Sequence, residues 1–231
     1  MKLEPVVDRL CMIKLGVVNA YLLDAGELTL IDTGTPGSSE QIVEALRAIG
    51  KEPEELLHIV ITHLHVDHTG SLAELKRLTG ATVHMHRLDA ELVAQGRGAR
   101  EMNPAPGLFS FLVTKLVMNR ASSAVEPCDT DDYLEEGQTL DFAGRCRVIH
   151  VPGHAEGQVA LLWPEHDGVL IAGDAASNMN GIGYPIVVED LEATRSSLEK
   201  LSRFEFSAAC FGHGKPIVGG AAEAFRKKFG S

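Results

Sequence analysis

No two of the four cysteines, Cys11, Cys128, Cys146 and Cys210, stand in a Cys-x-x-Cys pair. They read as free, mostly buried thiols of a reducing compartment. Basic residues are scarce as well: 21 Lys and Arg against 32 Asp and Glu leave a formal net charge of −11. That balance argues against nucleic acid or an anionic membrane as partner, because both need a basic patch to displace counterions. It does not exclude an anionic small molecule, since a pair of divalent metals would invert the sign locally. No apolar run reaches transmembrane length. The opening Met1-Lys2-Leu3-Glu4-Pro5 has an early acid and no export-signal core. Low-complexity tracts and short-period repeats are absent too. The expectation is one cytoplasmic domain spanning the 231 residues, long enough to bury a substantial core.

What is present alternates between strand and helix. Residues 17–23 and 28–31 read as strands around a turn at 24–27. Helical spacing follows over 38–49, a β-branched apolar strand over 57–62, and a helix over 71–78 that Gly80 stops. The stretch 87–132 differs. It holds Gly96, Gly98, Pro104, Pro106 and Gly107 around an apolar helical run at 108–119, and reads as a helical insertion. That run fits a lid over an apolar substrate, ordinary packing, or a homodimer contact equally well, because spacing alone cannot choose. Strands return at 146–151, 159–163, 169–172 and 208–211, with helices over 190–201 and 221–229. This alternation indicates a layered α/β architecture.

The chemistry is concentrated where strands end. After the strand at 57–62 comes His63-Leu64-His65-Val66-Asp67-His68. Three imidazoles and a carboxylate in six positions suit zinc or iron better than calcium or magnesium. His63 and His65, two apart, point the same way in extended backbone and can grip one ion, while Asp67 and His68 can reach a neighbouring one. The pattern recurs as Pro152-Gly153-His154, Gly173-Asp174 and Gly212-His213. Each is an apolar strand ending in glycine and then a donor, and strand ends of an α/β sheet converge on one crevice. Burying seven such groups together without metal would be costly. His58, His84, His86, His150 and His166 read instead as surface or satisfied core residues, and Tyr184 as packing.

With Ile31-Asp32-Thr33-Gly34, the His63–His68 motif, His154, Asp174 and His213 in this order, the sequence resembles the metallo-β-lactamase superfamily. The resemblance implies a four-layer αβ/βα sandwich with a site along one edge. It implies two divalent metal ions, zinc first and iron or manganese next. His63, His65 and His154 would hold the first, Asp67, His68 and His213 the second, and Asp174 would bridge them. Asp32 would support the histidine loop from behind rather than bind metal. Two ions sharing a hydroxide provide a nucleophile at neutral pH, with Asp67 orienting it and moving its proton.

Within that family the chain resembles a small-molecule ester, lactone or thioester hydrolase. The short tail after His213 leaves no room for the C-terminal helical domain of glyoxalase II. Ala175-Ala176-Ser177-Asn178 stands where quorum-quenching lactonases place a tyrosine. A mononuclear-iron oxidoreductase of the persulfide-dioxygenase type and a β-lactam amide hydrolase are the alternatives. A non-catalytic binding protein would not need the intact donor set.

Overall fold

The computed structural model describes residues 2–116 and 122–230. The N-terminal part runs β1 (Lys2–Val7), β2 (Leu10–Leu15), β3 (Val18–Leu23), β4 (Thr29–Ile31), α1 (Ser39–Ala48), β5 (His58–Val60), α2 (Val66–Thr69), α3 (Leu72–Thr79), β6 (Thr82–His86) and α4 (Arg87–Val93). Next come β7 (Asn103–Pro104), α5 (Leu108–Leu116), β8 (Asp132–Leu134) and β9 (Thr139–Leu140). The C-terminal part is β10 (Cys146–His150), β11 (Val159–Trp163), β12 (Val169–Ile171), β13 (Val187–Val188), α6 (Leu191–Ser202), β14 (Ala208–Cys210), β15 (Ile217–Val218) and α7 (Ala221–Phe229).

Side chains alternate across each strand, and this alternation stacks the layers. Val18, Ala20 and Leu22 of β3 pack with α1, α3 and α4, whereas Tyr21 and Leu23 point into a second core between the sheets. From the other side, Val159, Leu161 and Trp163 of β11 enter that central core, while Ala160 packs with Leu198 of α6 and Phe225 of α7. One sheet is ordered β1-β2-β3-β4-β5-β6-β8 and the other β15-β14-β12-β11-β10-β9. Helices, sheet, sheet, helices is the four-layer αβ/βα sandwich expected from the motif set.

Three features differ from the sequence reading. The strands expected at 57–62, 169–172 and 208–211 are three-residue ladders, because the backbone leaves the sheet early to form the donor loops. β1 and β2 precede the first strand marked by the sequence reading, and β1, which contains Pro5, lies at the sheet edge, where proline is tolerated. The stretch taken as an insertion from residue 87 begins with α4, whose Ala90 and Val93 are buried in the first core. α5 is helical over Leu108–Leu116, and positions 117–119 of the expected run lie outside the described residues. The cysteines are free; Cys128, Cys146 and Cys210 are buried.

The two sheets are pinned together beside the site. Tyr21 Oη donates to the Phe211 carbonyl at 2.7 Å and accepts from the Phe211 amide at 3.0 Å. Asn19 Nδ2 donates to the carbonyls of Phe211 and Gly214 at 3.0 and 2.8 Å. Tyr21→Phe should therefore strand a buried amide. Urea unfolding is expected to show a loss of about 1–2 kcal/mol, and no loss would mean the amide finds another partner.

Candidate metal centre

β4 and β5 are parallel, as are β12 and β14, so their C-terminal ends share an edge. Asp32 and the His63–His68 loop leave the first pair, and Asp174 and His213 leave the second. β10 runs antiparallel to β11 and delivers His154 to the same edge. Asp32 adopts a left-handed conformation with φ 62°, a region that aspartate tolerates better than most residues. From there its carboxylate accepts from the Thr62 amide at 2.8 Å and the Thr62 hydroxyl at 2.8 Å. It also takes the Nδ1 hydrogen of His68 at 2.8 Å. Asp32 thus braces the loop from behind, as expected, and offers no oxygen to the donor cluster.

The first group of donors is three imidazoles. His63 Nε2 lies 3.2 Å and His65 Nδ1 2.8 Å from His154 Nε2. The opposite nitrogens set the tautomers. His154 Nδ1 donates to the Val187 carbonyl at 2.7 Å, and His63 Nδ1 donates to the Thr62 hydroxyl at 3.0 Å. Lone pairs are then left facing one another, an arrangement that calls for a cation between them.

The second group is Asp67, His68 and His213. His213 Nδ1 donates to the Val17 carbonyl at 2.8 Å, which turns Nε2 toward Asp67 Oδ2 at 3.2 Å and Asp174 Oδ2 at 3.1 Å. Asp174 Oδ2 is also 3.5 Å from His154 Nε2, so one carboxylate reaches both groups. His68 Nε2 and Asp174 Oδ1 are buried with no hydrogen-bond partner. Orphaned polar atoms of this kind, in a nitrogen and oxygen donor set, fit transition-type divalent ions. All seven proposed ligands are brought together. His58, His84, His86, His150 and His166 belong to none of the donor groups found among the described residues, and Tyr184 packs on Phe229.

The two groups differ in charge. Burial pushes His63 and His154 down and His65 down to about 3, with neighbouring imidazoles adding to the effect on His63 and His65. Burial opposes charge on His68 and His213 as well. There the carboxylates outweigh it: Asp32, Asp174 and Asp67 hold His68 up at about 10, and Asp174 and Asp67 push His213 up to about 12. Below those values the metal-free second group carries two protons that an ion must displace, while the first group is already neutral. Metal uptake by the second group should release close to two protons, so its affinity should rise about a hundredfold per pH unit around neutrality. Uptake by the first should be nearly pH-independent. Calorimetry in buffers of different ionisation enthalpy measures this; equal release at both steps would contradict it.

The family model described as the metallo-beta-lactamase superfamily matches residues 13–213. The chain belongs to that superfamily. It is similar to the uncharacterized protein YobT of Bacillus subtilis, 33% identical over 71% of this chain and 64% of that one. The probable metallo-hydrolase YflN of the same organism is 28% identical over 88% of this chain and 83% of its own length. Thioesterase pkgB of Emericella nidulans is 28% identical over 87% of this chain but only 46% of its own. The chain thus spans less than two thirds of YobT and less than half of pkgB. Among solved structures, a metallo-β-lactamase of Cronobacter sakazakii with a HARLDQ motif superposes with a TM-score of 0.71 at 22% identity, covering 92% of this chain and 81% of that one. At that identity the likeness concerns the fold.

A cleft of about 530 Å³ opens over the donors. His65, Asp67, His154, Asp174 and His213 form part of its lining. Val113 of α5 reaches it, while Leu108, Phe111, Leu112 and Leu116 of the same helix are exposed. One element of the site was missed from sequence. Asp89, fully buried in α4, accepts from the Leu64 amide and the Gly157 amide, both at 3.0 Å, and from Arg100 Nη1 at 2.6 Å. Arg100 also reaches Glu189 at 3.4 Å. Leu64 sits between two ligand histidines and Gly157 follows the third, so one carboxylate fixes both loops. Lone Asp and Arg residues in a polar stretch carry no pattern that would have revealed this.

No helix of the described residues is long and apolar enough to cross a membrane.

Proposed function

We propose that this protein is a binuclear hydrolase of a small-molecule ester, lactone or thioester. The observation that carries the reading is the position of Asp174 Oδ2, within 3.5 Å of His154 Nε2 and 3.1 Å of His213 Nε2, joining two donor groups into one site. His63, His65 and His154 would hold one ion, Asp67, His68 and His213 the other, and Asp174 both; zinc suits the donors best. When bound, such a pair acidifies water to a neutral-pH nucleophile and polarises a carbonyl. The chain's own residues do the rest. Asp67, at the junction of cleft and donors, accepts the proton released as water adds and passes it to the leaving oxygen or sulfur. Val187 and Val17, through their carbonyls, hold His154 and His213 in the ligand-presenting tautomer. The apolar cleft walls keep bulk water from the carbonyl. The thioesterase name carried by one relative accords with this substrate range.

Acid release by metal-loaded protein on a lactone, a thioester, an ester and a β-lactam tests the reading. Turnover of an acyl-oxygen or acyl-sulfur substrate is expected, falling by at least about a hundredfold in His65→Ala and in Asp67→Ala. Turnover of the β-lactam alone, or one iron per chain with oxygen consumption, would overturn it. Unchanged rates in Asp67→Ala with metal retained would remove Asp67 from proton transfer.

A further inference from the structure

The cleft wall says more than the donors do. Away from the ligand residues it is made of Val66, Met102, Val113, Met179, Pro185 and Ile186, together with serine and threonine hydroxyls and small residues. No lysine or arginine is among its described lining residues. Arg97 and Arg100 flank the cleft-lining Gly98 and Ala99; Arg97 is exposed and not part of the lining, and Arg100 is directed away, onto Asp89 and Glu189. The chain as a whole carries a net charge of −11, so only the donor site itself, when metal-loaded, would draw an anion. Among the described lining residues a carboxylate or phosphate remote from the scissile bond would therefore find no cation to replace its water.

Resting on the hydrolase reading above, we infer that the non-reacting part of the substrate is uncharged and apolar, an alkyl or acyl chain laid between α5 and the segment around Ile186. The volume of about 530 Å³ lies in the range of pockets that enclose a whole small ligand. Met102 and Met179 supply unbranched, adaptable walls, which suit a flexible chain better than a rigid ring system. The site discriminates by chain length and against charge at the chain end.

Binding can be read without turnover, so its failure is distinct from failure of the hydrolase reading. Butanamide, hexanamide and octanamide are titrated into metal-loaded protein by calorimetry, beside an octanamide bearing a terminal sulfonate. Affinity is expected to rise about threefold per added methylene. The sulfonate should bind at least about a hundredfold more weakly than octanamide. Val113→Lys places a cation on a half-buried wall position outside the donor set, and there the sulfonate should gain at least about tenfold. Affinity that stays flat along the series, a sulfonate that binds as well as the amide, or no gain in Val113→Lys would each overturn the inference.

Discussion

Gly212→Ala is expected to lower metal-dependent turnover by at least about a hundredfold, although it adds a single methyl group. A Cβ on residue 212 would fall inside the van der Waals envelope of Asp174 Oδ1 and 2.6 Å from His68 Cε1. Neither neighbour can retreat. His68 is held through Nδ1 by Asp32, and Asp174 stands between the two donor groups. The backbone is fixed too: the Gly212 amide donates to the Gly173 carbonyl at 2.9 Å, and its carbonyl accepts from the Asn19 amide at 2.8 Å. The strain therefore lands on Asp174 Oδ1, a buried oxygen without a partner, and on the ring that carries the unpartnered His68 Nε2. Metal content per chain and kcat/KM, with circular dichroism as a check on folding, measure the outcome. Full metal content and full rate would show that the loop gives way instead.

Asp89→Ala should have the largest effect on stability, about 3–5 kcal/mol, with a ten- to hundredfold loss of metal affinity beside it. Truncation leaves the Leu64 and Gly157 amides and the Arg100 guanidinium without their shared acceptor. The loops on either side of the three-histidine group would lose their common anchor. Denaturant unfolding of the metal-free protein isolates the structural part, and metal titration of the refolded variant isolates the positioning part. An unfolding midpoint within error of the parent would mean that Arg100 and Glu189 hold the loops alone.

The donor set could be read from sequence because each ligand follows an apolar strand and sits beside a glycine or within two positions of another ligand. The structure brings His63, His65, Asp67, His68, His154, Asp174 and His213 together, with Asp32 behind them. What could not be read was support. The Asp89 and Tyr21 contacts depend on which loops and strands come to lie side by side, and no local spacing encodes that. α4 was lost for a related reason: at seven residues it is too short for a clear period, and it opens a stretch whose glycines and prolines suggest irregular chain. The apolar run of α5 was legible as helix, but Val113, which reaches the cleft, was not distinguishable from its exposed neighbours.

His65 and His154 are 89 positions apart in the chain, yet their ring nitrogens lie 2.8 Å from each other. An ion gripped by both closes a loop of that length, much as a cross-link would, and it joins one sheet to the other across the sandwich edge. A covalent link over a span of this size removes roughly 4–5 kcal/mol of disorder from the unfolded chain. A metal held there would thus act as a removable clasp between two halves that otherwise hold by packing and by hydrogen bonds such as those of Tyr21 and Asn19. Chelation would then open the clasp, so the lifetime of the fold would depend on the same ion supply as the proposed activity.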